Sequence, residues 1–349
     1  MDAIKIFEAI LDLTTKEKFP DIHLNSGNPP IIRNHSWDLK RLNWEILFQD
    51  ANIDITLDTQ KIKDIIIHIS WDEWFDKYKN TLELDTSFKY KEFDRYRVNC
   101  YVDSIWYNIA LRIIPSEIPN VVDLSLWDSI INMCTKTKWL ILVTGPTGSW
   151  KSTNLAAMID YINTNFSKHI ITIEDPIEFA FSNKKSLINQ REIGNHTLWF
   201  ANAIKSSLRE DPDVIMVWEM RDPETIKAAI TLAETGHLVL STLHTNDTVQ
   251  SVDRIIDVFP SSQQDQIRMQ LAMSLVWIVS QRLIPRADKP WRIASREILL
   301  ANDAVRNLII SGKTHQLYSV IEVSGKDWMI LMDKYLIFLF KNKVISRDT

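Results

Sequence analysis

The sequence predicts an α/β chain of two domains: a mixed α+β domain over residues 1–113, a linker over 114–121, and a strand–helix alternating domain over 122–349. Three observations predict it. Before about residue 112, a helix-period segment is followed by short strand-period segments. A stretch carrying Pro115 and Pro119 then breaks all periodicity. Beyond it, short β-branched apolar runs alternate with helical patterns, which implies a parallel sheet with crossover helices. At 349 residues the chain is long enough to bury two cores.

In the first domain, Ile4 to Lys16 has apolar residues at helical spacing. Asp21 to Asn25 and Pro30 to Arg33 read as short strands around a turn at Gly27. Tyr96 to Val102 and Tyr107 to Ile113 alternate as the arms of a hairpin. In the second domain the candidate strands are Trp139 to Thr144, His169 to Ile173, Val214 to Val217 and Leu238 to Ser241. Helices are expected over Lys151 to Thr164, Trp199 to Arg209 and Pro223 to Glu234. Ser262 to Leu283 reads as one long amphipathic helix, and the remainder as helical.

Composition excludes several classes. A net charge of -5 argues against a general nucleic-acid binder. The longest apolar runs, such as Trp139 to Val143 and Tyr335 to Phe340, fall far short of a bilayer span, so no membrane insertion is expected. The first residues carry an early acid and no apolar run, so no signal peptide is expected. Cys100 and Cys134 stand far apart with no CxxC or histidine partner, which suits two reduced thiols in a cytosolic protein.

The chemistry-bearing segments lie at strand ends. Gly145, Pro146, Thr147, Gly148, Ser149, Trp150, Lys151, Ser152 and Thr153 follow one strand and open a helix. That is the context of the phosphate-binding G-x-x-x-x-G-K-[ST] loop, with Trp150 where the second glycine belongs. Loop amides would cradle phosphate oxygens, Lys151 would neutralise β/γ-phosphate charge and the Ser152 hydroxyl would meet Mg²⁺. Val214 to Val217 is an apolar strand that leads to Glu219, beside the phosphate loop, where open α/β sheets bind ligands. A carboxylate there either polarises the attacking water, holds it through Mg²⁺, or caps the next helix. Glu174 and Asp175 end another strand ahead of Pro176, and either organise metal and water or simply form a turn. His237 and His244 bracket one strand and lie too far apart along it to share an ion. One suits a γ-phosphate sensor; the bland alternative is a structural histidine.

With these four segments in order, residues 142–260 resemble the secretion and type IV pilus ATPases. The chain carries their Walker A loop (145–152), Asp box (172–178), Walker B segment (213–222) and His box (235–245). The resemblance extends over essentially the whole chain, including Asp21 to Leu24 and Arg95 to Asn99. Ala304 to Ile309 is similar to a motif of the retraction branch, and the long N-terminal extension and tetracysteine loop of many assembly ATPases are absent. The resemblance implies a PAS-like N-terminal domain and a RecA-like P-loop ATPase domain, with nucleotide between them. It implies a cytoplasmic homohexamer, peripheral to the inner membrane, that uses ATP and Mg²⁺ and works on a pilus platform protein in that membrane.

In that family frame Glu219 is the catalytic carboxylate, Glu174 supports water or metal, and His244 is counted with them among the catalytic residues. Ser152 and Glu174 are the metal-facing residues. Arg95, Arg97 and Arg112 either reach phosphate from the first domain or are solvated strand charges. Pilus-assembly, type II secretion and conjugation ATPases are the alternatives within the family. A catalytically dead scaffold ring and a nucleic-acid motor lie outside this reading; the acidic balance disfavours the second.

Composition holds one further signal: 13 Trp against 7 Gly. Trp150 and Trp218 stand where the family pattern has glycine, as do Trp37, Trp106, Trp127, Trp139, Trp199, Trp277, Trp291 and Trp328. Trp44, Trp71 and Trp74 lie where the pattern gives no guidance. Glycine serves positive φ and close backbone approach, so tryptophan is the worst substitute there. UGA codons read as glycine by the source organism, and as tryptophan in this translation, account for the set; a degenerate pseudoenzyme is the alternative.

Overall fold

The structure is a computed structural model that describes residues 2–17, 19–34, 38–48, 54–91, 94–114, 117–124, 128–288 and 292–347. By its internal contacts the chain forms two units. The first comprises Met1–Glu117 with Pro176–Ala180, the second Ile118–Asp175 with Phe181–Thr349.

The first unit opens with α1 (Ala3–Glu17), which buries Ile6, Phe7, Ile10 and Leu11 along one stripe. Strands β1 (Asp21–Asn25), β2 (Ile31–Arg33) and β3 (Leu39–Arg41) follow, then α2 (Trp44–Leu47) and α3 (Thr59–Thr81). Asp58 caps α3 by accepting from the Lys61 amide, and the chain leaves it through Leu82 in the left-handed region. Ile62, Ile65, Ile66 and Ile69 put the apolar face of α3 into the core. β4 (Glu83–Tyr90), β5 (Asp94–Asp103) and β6 (Trp106–Ile114) complete an antiparallel sheet of order β3-β2-β1-β6-β5-β4. The expected hairpin is β5–β6, closed by the Asp103–Trp106 pair. Tyr96, Val98 and Cys100 alternate into the core, so Arg95, Arg97 and Asn99 lie on the opposite face.

The second unit begins with α4 (Asp128–Met133), β7 (Trp139–Thr144), α5 (Lys151–Asn165), β8 (His169–Glu174), β9 (Leu187–Glu192) and α6 (Phe200–Ser207). There follow β10 (Val214–Val217), α7 (Pro223–Glu234), β11 (Leu238–Leu243), α8 (Thr248–Asp257), α9 (Ser261–Ser274), β12 (Leu275–Pro285) and β13 (Arg292–Leu300). Helices α10 (Asp303–Ile310), α11 (Leu317–Val323) and α12 (Met332–Lys341) end the chain. The sheet order is β13-β12-β7-β11-β10-β8-β9, with every pair parallel except β12–β13. β10 and β11 are buried along their full length, which explains why they read as continuous apolar runs rather than alternating ones. Asp222 caps α7 through the Thr225 amide, with Pro223 in its first turn.

From Ser262 onward the structure corrects both the single long helix and the all-helical remainder, since β12 and β13 are strands. The helix over Ser262 to Leu283 stops at Ser274, and Leu275 begins a buried strand that returns antiparallel as β13. The apolar run Leu275–Val279 satisfies a buried strand and a buried helix alike, and its β-branched residues decide for the strand. Among the described residues no helix is long and apolar enough to cross a membrane.

Candidate active site

The parallel registers align Thr144 with Leu243, Ser241 with Val217, and Val217 with Ile173. The carboxyl ends of β7, β11, β10 and β8 therefore share one edge of the sheet. The sequence reading placed Glu219 on a strand next to the phosphate loop. In the structure β11 intervenes, and it carries His244 at its end.

The phosphate loop leaves β7 through Gly145, whose φ is 147°, and Gly148, whose φ is 74°. A Cβ at Gly145 would collide with the Gln281 carbonyl oxygen, so only glycine fits there. Lys151 is buried, and its Nζ donates to the carbonyls of Gly145 at 2.9 Å and Pro146 at 3.0 Å. Ser152 and Thr153 follow in the first turn of α5. Trp150 is the N-terminal cap of α5 with φ 63° and ψ 30°, and its side chain makes no capping hydrogen bond.

Gln281 on β12 holds this loop from beneath. It is fully buried, donates from Nε2 to the Ser149 carbonyl, and accepts at Oε1 from Asn154 on α5. Sequence reasoning missed it, because the segment was assigned to a helix. Its signal was a glutamine just beyond the apolar run Leu275–Val279, between Ser280 and Arg282, where a buried amide needs partners.

Glu219 follows β10 and Trp218. Thr242 on β11 fastens this corner: its hydroxyl donates to the Trp218 carbonyl, and its own carbonyl accepts from the Met220 amide at 3.2 Å. The Glu219 side chain is 10% exposed and meets Arg221 Nη2 at 2.8 Å and His244 Nε2 at 3.4 Å. The helix-capping alternative falls to Asp222 instead, which accepts from the Thr225 amide and hydroxyl. His237, at the other end of β11, sits with Nδ1 3.0 Å from the Leu232 carbonyl, away from the strand end that carries His244.

Glu174 ends β8 fully buried, accepting from the Thr172 hydroxyl at 2.6 Å and from Gln190 Nε2 at 3.0 Å. Gln190 lies on β9, beyond the segments singled out from sequence. Among the described residues no group of three or more His, Cys, Asp or Glu side chains is arranged to hold a metal.

In the first unit, Asp21, His23, Arg33, Asp85, Arg97 and Arg112 line a cleft of about 580 Å³. Arg97 and Arg112 stand directly opposite across β5–β6. Arg112 forms a fork to Asp21, with Nε at 2.6 Å and Nη2 at 3.3 Å, while Arg33 lies 3.6 Å from the same carboxylate. Arg95 shares the sheet face but does not line the cleft. Cys100 and Cys134 are both buried, and burial pushes each thiol up to about 12.

A family model described as "Type II/IV secretion system protein" matches residues 123–302. The chain is 44% identical over 319 residues to "Twitching motility protein" of Neisseria gonorrhoeae, covering 91% of this chain and 82% of that protein. The chain belongs to the type II/IV secretion system protein family. Within that family it is 40% identical to "Type IV pilus retractation ATPase PilT" of Pseudomonas aeruginosa, over 97% of this chain and 95% of the relative. The solved structure described as "Crystal Structure of the Pilus Retraction Motor PilT and Bound ADP" superposes with a TM-score of 0.87 at 40% identity, covering 98% of this chain and 94% of the other. The two-domain α/β architecture of this secretion-family chain is therefore that of its solved relative, whose structure is described with bound ADP, and its Pseudomonas aeruginosa relative is named an ATPase.

Proposed function

We propose that this chain is the ATP-hydrolysing motor of type IV pilus retraction, acting as a Mg²⁺-dependent homohexamer on a platform protein of the inner membrane. The near-full-length likeness to proteins named for twitching motility and pilus retraction supports the biological assignment. The observation that carries the chemistry is the shared sheet edge. The Gly145–Lys151 loop stands at one strand end, and Glu219 with His244 stands at the next two.

On this reading Lys151 exchanges its loop carbonyls for β/γ-phosphate oxygens, and the loop amides take the remainder. Ser152 and Glu174 face Mg²⁺, which would screen the negative charge of the phosphates. Glu219 orients and deprotonates the attacking water, a task for a shielded carboxylate at hydrogen-bonding range. His244 reads the γ-phosphate from the same carboxylate, so loss of that phosphate changes its partner set. Arg97 and Arg112 give the first unit a face suited to a polyanion. No nucleic-acid role is proposed, since the chain is net acidic.

The biological test is complementation of a retraction-deficient type IV piliated bacterium with the chain carrying Trp150→Gly and Trp218→Gly. The expected result is restored twitching and shorter pili. Restored pilus assembly in an assembly-deficient strain, without restored retraction, would move the chain to the assembly branch.

A further inference from the structure

Four tryptophans of this chain stand where the backbone asks for glycine. Among the described residues eight non-glycine residues have clearly positive φ, and four of them are Trp106, Trp139, Trp150 and Trp328. The glycines set the standard: six of the seven, all but Gly325, also have positive φ. At Trp106 and Trp139 φ reaches 102° and 111°, beyond the small left-handed well open to other L-residues.

Each position is a recognisable glycine site. Trp106 follows the tight Ser104–Ile105 connection of the β5–β6 hairpin, where a short loop places a positive-φ glycine. Trp139 begins β7 with its amide donated to the His237 carbonyl. Trp150 turns the phosphate loop into α5. Trp328 ends a short 3-10 turn over Gly325–Asp327 in the left-handed conformation, the place of a terminating glycine.

The indoles gain little in return. Trp106 is 60% exposed, Trp328 53% and Trp150 39%. Trp139 has Lys138 and Arg306 over its ring, at 4.9 Å and 5.7 Å. Such cation contacts do not require the strained backbone. Trp199 makes the contrast, with φ −146° in extended backbone that any residue adopts. Trp277 is buried in the sheet and outside the positive-φ set. Among the described residues, which do not include Trp37, Trp127 and Trp291, backbone geometry therefore singles out four positions, and the excess of 13 Trp over 7 Gly in the whole chain supplies the independent compositional reason.

We propose that the natural polypeptide carries glycine at positions 106, 139, 150 and 328, read from UGA codons. Only the consequence at 150 rests on the nucleotide-site reading: there glycine lets the loop amides close on phosphate without an indole at the helix entrance.

The test is the mass of three tryptic peptides, residues 98–112, 139–151 and 327–334, from the chain purified from its native cells. Expected is the loss of one indole-bearing side chain from the first and third peptides and of two from the second. A tryptophan mass at any of the four positions overturns the proposal. ATP binding by the recombinant chain, with and without Trp150→Gly, separates the two readings. Glycine masses with no ATP binding by the Trp150→Gly chain would leave the residue assignment standing and remove the nucleotide site.

Discussion

The phosphate-loop corner and the Glu219 corner occupy one edge of one sheet, but they are held differently. Around the loop the restraints are backbone and buried amide: a Cβ-intolerant Gly145, Lys151 on two carbonyls, and Gln281 beneath. Around Glu219 Thr242 holds the backbone, but the side-chain partners of the carboxylate face water, Arg221 being 64% and His244 42% exposed. A grip on phosphate needs pre-organisation, since ordering a loop at each binding event costs affinity. A group that must respond to loss of a phosphate needs exchangeable partners, which exposed pairs of under about 1 kcal/mol provide.

That contrast can be broken in four places, each in the Trp150→Gly background. Lys151→Ala should cost the most, about 10- to 100-fold in ATP affinity, because a charged hydrogen bond is worth about 1.5–3 kcal/mol. Calorimetric titration with undiminished affinity would remove the loop from phosphate binding. Gln281→Leu should destabilise the second unit by about 1–3 kcal/mol, as it leaves the Ser149 carbonyl and the Asn154 amide without their buried partner. It should also raise KM for ATP more than it lowers kcat. An unchanged melting curve and KM would mean the loop holds itself.

Arg221→Gln should leave ATP affinity unchanged and shift turnover by no more than about five-fold, the worth of an exposed pair. A loss as large as that of Lys151→Ala would make Arg221 part of the rigid machinery. The smallest effect is expected at the opposite end of the same strands. Asp213 is partly desolvated, which raises its pKa, but the hydrogen bonds from Lys168 at 2.8 Å and the His169 amide at 2.9 Å outweigh this and hold it below the ordinary value. Its stabilisation is thus present above the unfolded carboxyl pKa of about 3.9 and fades as pH falls through the lowered folded value. Denaturant titrations of Asp213→Asn should show a deficit under about 1 kcal/mol at neutral pH that vanishes in strong acid. A deficit that grew on acidification would contradict the assigned direction.

The sequence made the loop corner legible because its chemistry is local: strand, glycine-bearing turn, lysine and helix are contiguous from 139 to 165. β10 and α7 were legible for the same reason, the first as an apolar run and the second through Asp222 and Pro223 at its start. What escaped was set by pairing across the sheet. The order that puts β11 between the phosphate loop and Glu219 has no local signature, nor has the bond from Gln190 on β9 to Glu174. Gln281 was lost with its strand, since an unbroken apolar run does not declare its period. In the first unit α3 went unread because polar residues interrupt its apolar face, which only packing reveals.

The most direct measurement is the identity of the nucleotide retained by the Trp150→Gly chain and by its Glu219→Gln derivative after incubation with ATP and Mg²⁺. If Glu219 activates water while the loop only binds, the derivative should retain intact ATP, with turnover reduced by about 10²- to 10⁴-fold, while its parent retains ADP. ADP in both, at equal rates, would contradict the assignment of chemistry to the Glu219 corner.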